Sequence, residues 1–145
     1  MTSYPHHYIV KASAQQQGLV EARTDGVTPI NSAPPSDFGG PGDQWSPETL
    51  LMAAIANCLI LSFRAIARAS KLDWQEITCN ARGTLDRVDG VTRFTEVILT
   101  ATLRVPSGAN EARAERLLEK AKQTCFITNS LAAECQLDAS VYVNG

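Results

Sequence analysis

The sequence predicts an α+β fold in which an antiparallel sheet packs against two substantial helices. Three stretches carry this reading. Residues 46–63, SPETLLMAAIANCLILSF, open on a helix-start signal and continue almost unbroken in apolar residues. Two alternating segments meet at Asp89-Gly90, a dipeptide that favours a two-residue hairpin turn. From Ala114 to Thr128, apolar residues recur at helical spacing.

Taken in chain order, Tyr8–Ala14 and Leu19–Arg23 read as short strands around the polar turn Gln15-Gln16-Gln17-Gly18, with a second turn at Thr24-Asp25-Gly26. The segment NSAPPSDFGGPG, residues 31–42, is too rich in Pro and Gly for a helix or a central strand and reads as a shaped loop. Ser46-Pro47-Glu48 then supplies an N-cap, a proline at the first helical position and an acid facing the helix dipole. This helix is expected to run to about Ser70, apolar on nearly all faces in its first half, with Arg64 and Arg68 marking where it meets water. Residues 76–88 and 91–105 form the hairpin, and Val97, Leu99, Ala101, Leu103 and Val105 share one face of its second arm. Pro106-Ser107-Gly108 ends that arm. A second helix is expected from about Ala109 to Ser130, with Ala114, Leu117, Leu118, Ala121, Cys125 and Thr128 on one stripe. The tail alternates at Leu137, Ala139, Val141 and Val143, a last strand.

Bulk composition narrows the function classes. At 145 residues the chain fits a single domain, 1–145, with a real core. Its net charge of −2 and its 13 scattered Lys and Arg give no basic surface for nucleic acid. The apolar run Leu50–Phe63 covers 14 residues, short of the roughly 20 that a membrane helix requires. The start, MTSYPHHYIV, has neither the basic nor the apolar region of a secretory signal. A soluble, cytoplasmic chain without nucleic-acid or membrane partners is the expectation.

Four cysteines remain: Cys58, Cys79, Cys125 and Cys135. The absence of a CxxC pair, with His6 and His7 side by side at the N-terminus, argues against a zinc site. In a reducing compartment such thiols are inert packing or redox-active groups. Free cysteine is among the most buried residue types, so packing is the ordinary role for all four. Cys58 and Cys125 nevertheless both fall on apolar helical stripes, and two buried helices in one small domain are expected to pack together. A nucleophilic thiol also needs a lowered pKa, because burial alone raises it. Cys58 is mid-helix, beyond help from its own helix N-terminus, so its activating group must come from elsewhere in the fold.

GGPGDQWSPETLLMAAIANC, residues 39–58, resembles the OsmC/Ohr family of thiol-dependent hydroperoxide reductases. In that family a Gly-rich loop and an N/S-P-E helix start precede the peroxidatic cysteine, ten positions after the Glu; Glu48 and Cys58 keep this spacing. LEKAKQTCFITNSL resembles the helix that carries the resolving cysteine, and LDRVDGVTRF resembles the family's hairpin. The resemblance implies an intertwined homodimer with two active sites at the subunit interface and no metal or prosthetic group. It implies catalysis through Cys58 and Cys125: the Cys58 thiolate reduces an organic or lipid-type hydroperoxide, Cys125 closes a disulfide with the resulting sulfenic acid, and an external dithiol (lipoylated protein, thioredoxin or small thiol) reduces it.

Glu48 and Arg23 are the supporting candidates. Ten residues of straight helix place Glu48 about 15 Å along the axis from Cys58, so it would either precede a helix break or, the favoured reading, act across the dimer, or else serve only as favourable charge in the first helical turn. The family's activating arginine sits in a G-R-D-G-like turn where this chain has Gln15-Gln16-Gln17-Gly18, leaving Arg23 as the nearest arginine. The residue after the resolving cysteine, commonly Pro in the family, is Phe126. Two other functions compete: a protein of the same fold that binds a small lipophilic ligand without turnover, and a redox sensor in which the disulfide is the signal.

Overall fold

The computed structural model describes residues 3–144. The chain divides into two compact units, Met1–Leu50 and Leu51–Gly145, and one helix begins in the first and continues through the second.

The first unit holds three short antiparallel strands in the order β1 (Lys11–Ser13), β2 (Val20–Arg23) and β3 (Ile30–Ser32). The first two are shorter than the expected Tyr8–Ala14 and Leu19–Arg23, because only these residues find ladder partners, from Lys11↔Arg23 to Ser13↔Glu21. After a single 3-10 turn at Ser36–Phe38, the loop returns so that the Ala33 N–H donates to the Trp45 carbonyl at 2.8 Å. Little of this unit is covered by its own chain. Ser32, Ala33 and Ser46 are buried, whereas Tyr8, Ile9, Val10, Val27 and Phe38 are exposed.

Helix α1 (Pro47–Ala69) starts where capping chemistry places it. The Thr49 N–H donates to Ser46 Oγ at 3.1 Å, and the Ser46 N–H donates back to Thr49 Oγ1 at 2.9 Å. This is a reciprocal capping box, with Thr in the place of the usual Glu or Gln. At its far end the Arg113 guanidinium donates to the Ser70 carbonyl, a cation on the negative end of the helix dipole.

In the second unit, β4 (Glu76–Val88) and β5 (Val91–Val105) form the expected hairpin. Both turn residues have positive φ, 52° at Asp89 and 78° at Gly90, as a type I′ turn demands. Helix α2 (Glu111–Gln123), the short helix α3 (Phe126–Asn129) and β6 (Glu134–Val143) complete the unit. Strand order is β4-β5-β6.

Two expectations are corrected. The sheet is mixed rather than antiparallel, because β6 runs parallel to β5 from Glu96↔Glu134 to Val105↔Val143. A helical crossover between neighbouring strands returns the chain in the same direction, which a tight turn cannot do. The single helix expected over 109–130 is two helices, interrupted at Thr124-Cys125, with Cys125 extended (φ −68°, ψ 116°) as the N-cap of α3. Their apolar stripe continues through the break, since Ala114, Leu118, Ala121, Cys125 and Thr128 are all buried.

The core lies between helices and sheet. Ile55, Leu59, Phe63 and Ala67 of α1, one residue per turn, pack with Val97, Leu99, Ala101, Leu103 and Val105 of β5 and with Ala114, Leu118 and Ala121 of α2. Phe63 meets Trp74 edge to face, with ring centroids 5.6 Å apart. By length and composition α1 could cross a membrane, with a mean hydropathy of 2.0 over its most apolar 18 residues. Its buried stripe makes it the core helix of this unit: 22% of the residues in that window are fully buried, and Leu51, Met52 and Ile66 are partly buried against the same core.

Candidate functional site

Cys58 lies midway along α1, half-buried, one position before the core residue Leu59. Cys125 is fully buried at the break between α2 and α3. The fold makes these two thiols neighbours that shift each other's protonation: Cys125 lowers the Cys58 thiol and Cys58 raises that of Cys125. All four cysteines are free.

The break is what aims the donors. At the start of a helix the first amides have no intrahelical acceptor. Here the N–H groups of Phe126 and Ile127, the first two residues of α3, favour the charged form of Cys58. Ser62, one turn further along α1, places its Oγ 4.0 Å from the Cys58 Sγ. Burial alone would raise the Cys58 thiol. The Cys125 thiol, the Ile127 N–H, the Ser62 hydroxyl and the Phe126 N–H together outweigh it, so Cys58 is held below the usual thiol range. Cys125 moves the other way, raised by burial and by its bond to Cys58, against which Thr128 acts. The two shifts are opposite in direction: the surroundings favour the anion at Cys58 and the thiol at Cys125.

Beside Cys58 opens a cavity of about 440 Å³, lined by Ala54, Asn57, Cys58, Leu61, Ser62, Ala65, Phe126 and Ile127. Its walls are mostly carbon. Leu61 and Phe126 are exposed at 55% and 73%, so the cavity faces outward and a solute can reach the sulfur. An apolar pocket with one activated nucleophile can admit an oily electrophile and react with it.

The other thiols stand apart from this arrangement. Cys79 pairs across the sheet with Ala101 and is pushed up to about 11 by burial and by the charge of Cys125. Cys135, opposite Val97, is raised by burial despite Lys122. Both pack against the core, in keeping with the packing role expected of them. Among the described residues, no three His, Cys, Asp or Glu side chains cluster as metal ligands.

Glu48 and Arg23 have their described contacts in the first unit. Glu48 lines a cavity of about 290 Å³ with Val20, Pro34, Pro35 and Phe38 among its neighbours; its Oε1 is buried without a hydrogen-bond partner. Arg23 is bound to Glu21 on its own strand at 2.5 Å, which raises its pKa further.

The model of the OsmC-like protein family matches residues 40–140, well over half of the chain. The chain belongs to the OsmC-like family. A curated relative, the uncharacterized protein YmaD of Bacillus subtilis (strain 168), is 27% identical over 149 residues, 97% of each chain. An organic hydroperoxide resistance protein OsmC of Legionella pneumophila, described as a predicted redox protein, is 28% identical. It superposes with a TM-score of 0.75 over 97% of this chain and 100% of its own. An OsmC-like protein of unknown function from Vibrio cholerae shares the fold with a TM-score of 0.85 at 21% identity, over 94% of this chain and 100% of its own. Within this OsmC-like protein the two cysteines singled out from the sequence are neighbours, whereas sequence reasoning missed the two amides and Ser62. Backbone donors leave no residue-type signal; the one available hint was the poor helix formers clustered in TCFITN, residues 124–129.

Proposed function

We propose that this protein is a thiol-dependent peroxidase that reduces organic, lipid-type hydroperoxides at Cys58, with Cys125 as the resolving thiol. One observation carries the reading: Cys58 lines an outward-facing cavity with carbon walls, with Cys125 and Ser62 beside it and its thiol held below the usual range despite burial. The relationship to hydroperoxide resistance proteins supports it.

In the first step the Cys58 thiolate attacks the distal oxygen of the peroxide. An S–O bond forms, the O–O bond breaks, and sulfur gives up two electrons. The alkoxide leaves, takes a proton from water and departs as the alcohol, leaving Cys58 as a sulfenic acid. In the second step Cys125 attacks that sulfur, water is released and a Cys58–Cys125 disulfide closes. An external dithiol of the cytoplasm, small or lipoyl-bound, then returns both thiols by exchange. No metal or prosthetic group takes part in this scheme.

The unit of function we propose is a homodimer. Two surfaces support it: the sparsely covered strands β1–β3 with the exposed side chains of Val20 and Ile30, and the exposed pair Leu61 and Phe126 beside Cys58. Burying such area against a second copy is favourable at roughly 25 cal/mol per Å². In that assembly the unpartnered Glu48 carboxylate accepts from a group of the second subunit, and Arg23, released from Glu21, is the candidate arginine to support Cys58.

The test is turnover. With dithiothreitol in excess, the protein should consume cumene hydroperoxide over many cycles, and Cys58→Ser should abolish this. Consumption no faster than by dithiothreitol alone would sink the enzyme reading and leave ligand binding or redox sensing.

A further inference from the structure

We propose that the Ser62 hydroxyl is a hydrogen-bond donor to the reacting sulfur of Cys58, holding the thiolate before attack and the sulfenic oxygen after it. The proposal rests on the reading of Cys58 as the peroxide-reactive thiol and adds to it a residue outside the cysteine pair.

The geometry is helical. Residues four apart on α1 stand one above the other on the same face, so Ser62 and Cys58 are neighbours wherever the helix is intact. Their Oγ and Sγ atoms are 4.0 Å apart. A serine inside a helix commonly turns its hydroxyl back onto the carbonyl of the preceding turn. Ser62 does not: among the described residues, the Cys58 sulfur is the one hydrogen-bond partner of its hydroxyl. The side chain is half-buried and lines the cavity beside Cys58, where Ala54, Leu61, Ala65, Phe126 and Ile127 offer only carbon side chains. Besides the Asn57 amide, which lines the same cavity without a hydrogen bond to Ser62, the partners open to this hydroxyl there are the sulfur and an oxygen that arrives on it.

The length of the contact fits a donor waiting for charge. Facing a neutral thiol, a hydroxyl gains little by close approach; facing a thiolate, the bond becomes charge-assisted and shortens. The hydroxyl is also among the groups that lower the Cys58 thiol. Once the sulfur carries a sulfenic O–H, Ser62 lies within reach of that oxygen as well, which would keep the acid oriented until Cys125 attacks.

The experiment titrates Cys58 in the full-length protein. Alkylation by iodoacetamide is followed against pH, and the Cys58 peptide is read by mass spectrometry for the unmodified sequence, Ser62→Ala and Ser62→Thr. Alanine is the better helix former, so Ser62→Ala should keep the circular dichroism spectrum and melting temperature. We expect Ser62→Ala to move the inflection to higher pH, leaving roughly three- to tenfold less thiolate at a fixed pH below it. Ser62→Thr, which keeps the hydroxyl, should restore the original profile. A Ser62→Ala profile that coincides with a low-lying original, or a shift that Ser62→Thr fails to restore, overturns the Ser62 assignment alone. An original protein whose Cys58 titrates as an ordinary thiol would remove the peroxidase reading, and the role of Ser62 with it.

Discussion

Phe126 offers a way to delete one backbone donor without deleting a side chain of the cysteine pair. As the first residue of α3, its N–H has no helical acceptor, and proline is favoured at that position. Cys125, the residue before it, is already extended (φ −68°, ψ 116°), as the residue preceding a proline must be. Phe126→Pro therefore removes the N–H that serves Cys58 while leaving α3 intact. Phe126→Ala is the control: it removes the ring from the cavity wall and keeps the N–H. The Phe126 amide contributes least of the four groups that lower Cys58, and the sulfur is half-buried, so the value of an ordinary hydrogen bond applies rather than the larger one for a bond to a charged group. That is about 1 kcal/mol, or roughly a fivefold change in thiolate fraction. Ultraviolet thiolate absorbance, taken as the difference from Cys58→Ser, measures it directly. In Phe126→Pro the titration should move to higher pH and the thiolate signal below the inflection should fall about fivefold; in Phe126→Ala both should stay in place. Equal shifts in the two variants would assign the effect to the ring. No shift in either would refute activation by the α3 amide.

Three further outcomes follow from the same geometry. In Cys125→Ser, peroxide should leave Cys58 as a sulfenic acid that dimedone traps, whereas the unmodified protein should be trapped far less. Cys79 should resist alkylation at neutral pH, and its contribution to stability has a definite sign. Its folded pKa of about 11 lies above the ordinary 9.0, so that contribution is complete below about pH 9 and is lost as pH rises toward 11. Cys79→Ala should flatten the alkaline fall in chemical-denaturation midpoint over that window, and an unchanged slope would contradict it. Ser46→Ala breaks the reciprocal cap with Thr49 and should cost about 1 kcal/mol of stability, read by urea unfolding with an unchanged m-value.

Local chemistry made much of this protein legible from its sequence, and non-local pairing did not. Ser46-Pro47-Glu48 marked the start of α1 because capping is decided within four residues, and Asp89-Gly90 marked the hairpin because its backbone tolerates positive φ. The buried face of β5 followed from simple alternation. The direction of β6 was not readable, because it depends on where the crossover through α2 and α3 delivers the chain. The break at Thr124-Cys125 was hidden by its own stripe: Cys125 and Thr128 continue the spacing of Ala114, Leu118 and Ala121, so a kinked helix pair looks like one helix. That break is also the part of the site that matters most for Cys58. The sequence pointed to an arginine near Cys58, whereas the groups that lower its thiol are two amides, a hydroxyl and the facing thiol.

The pairing of Cys58 with Cys125 is tested most directly by stoichiometric oxidation. One equivalent of cumene hydroperoxide is added to the reduced protein, remaining thiols are blocked, and disulfide-linked peptides are mapped by mass spectrometry. Rapid loss of two thiols with a Cys58–Cys125 linkage, abolished in Cys58→Ser, is the expected result. Oxidation no faster than that of free cysteine, or a linkage that omits Cys58, would contradict it.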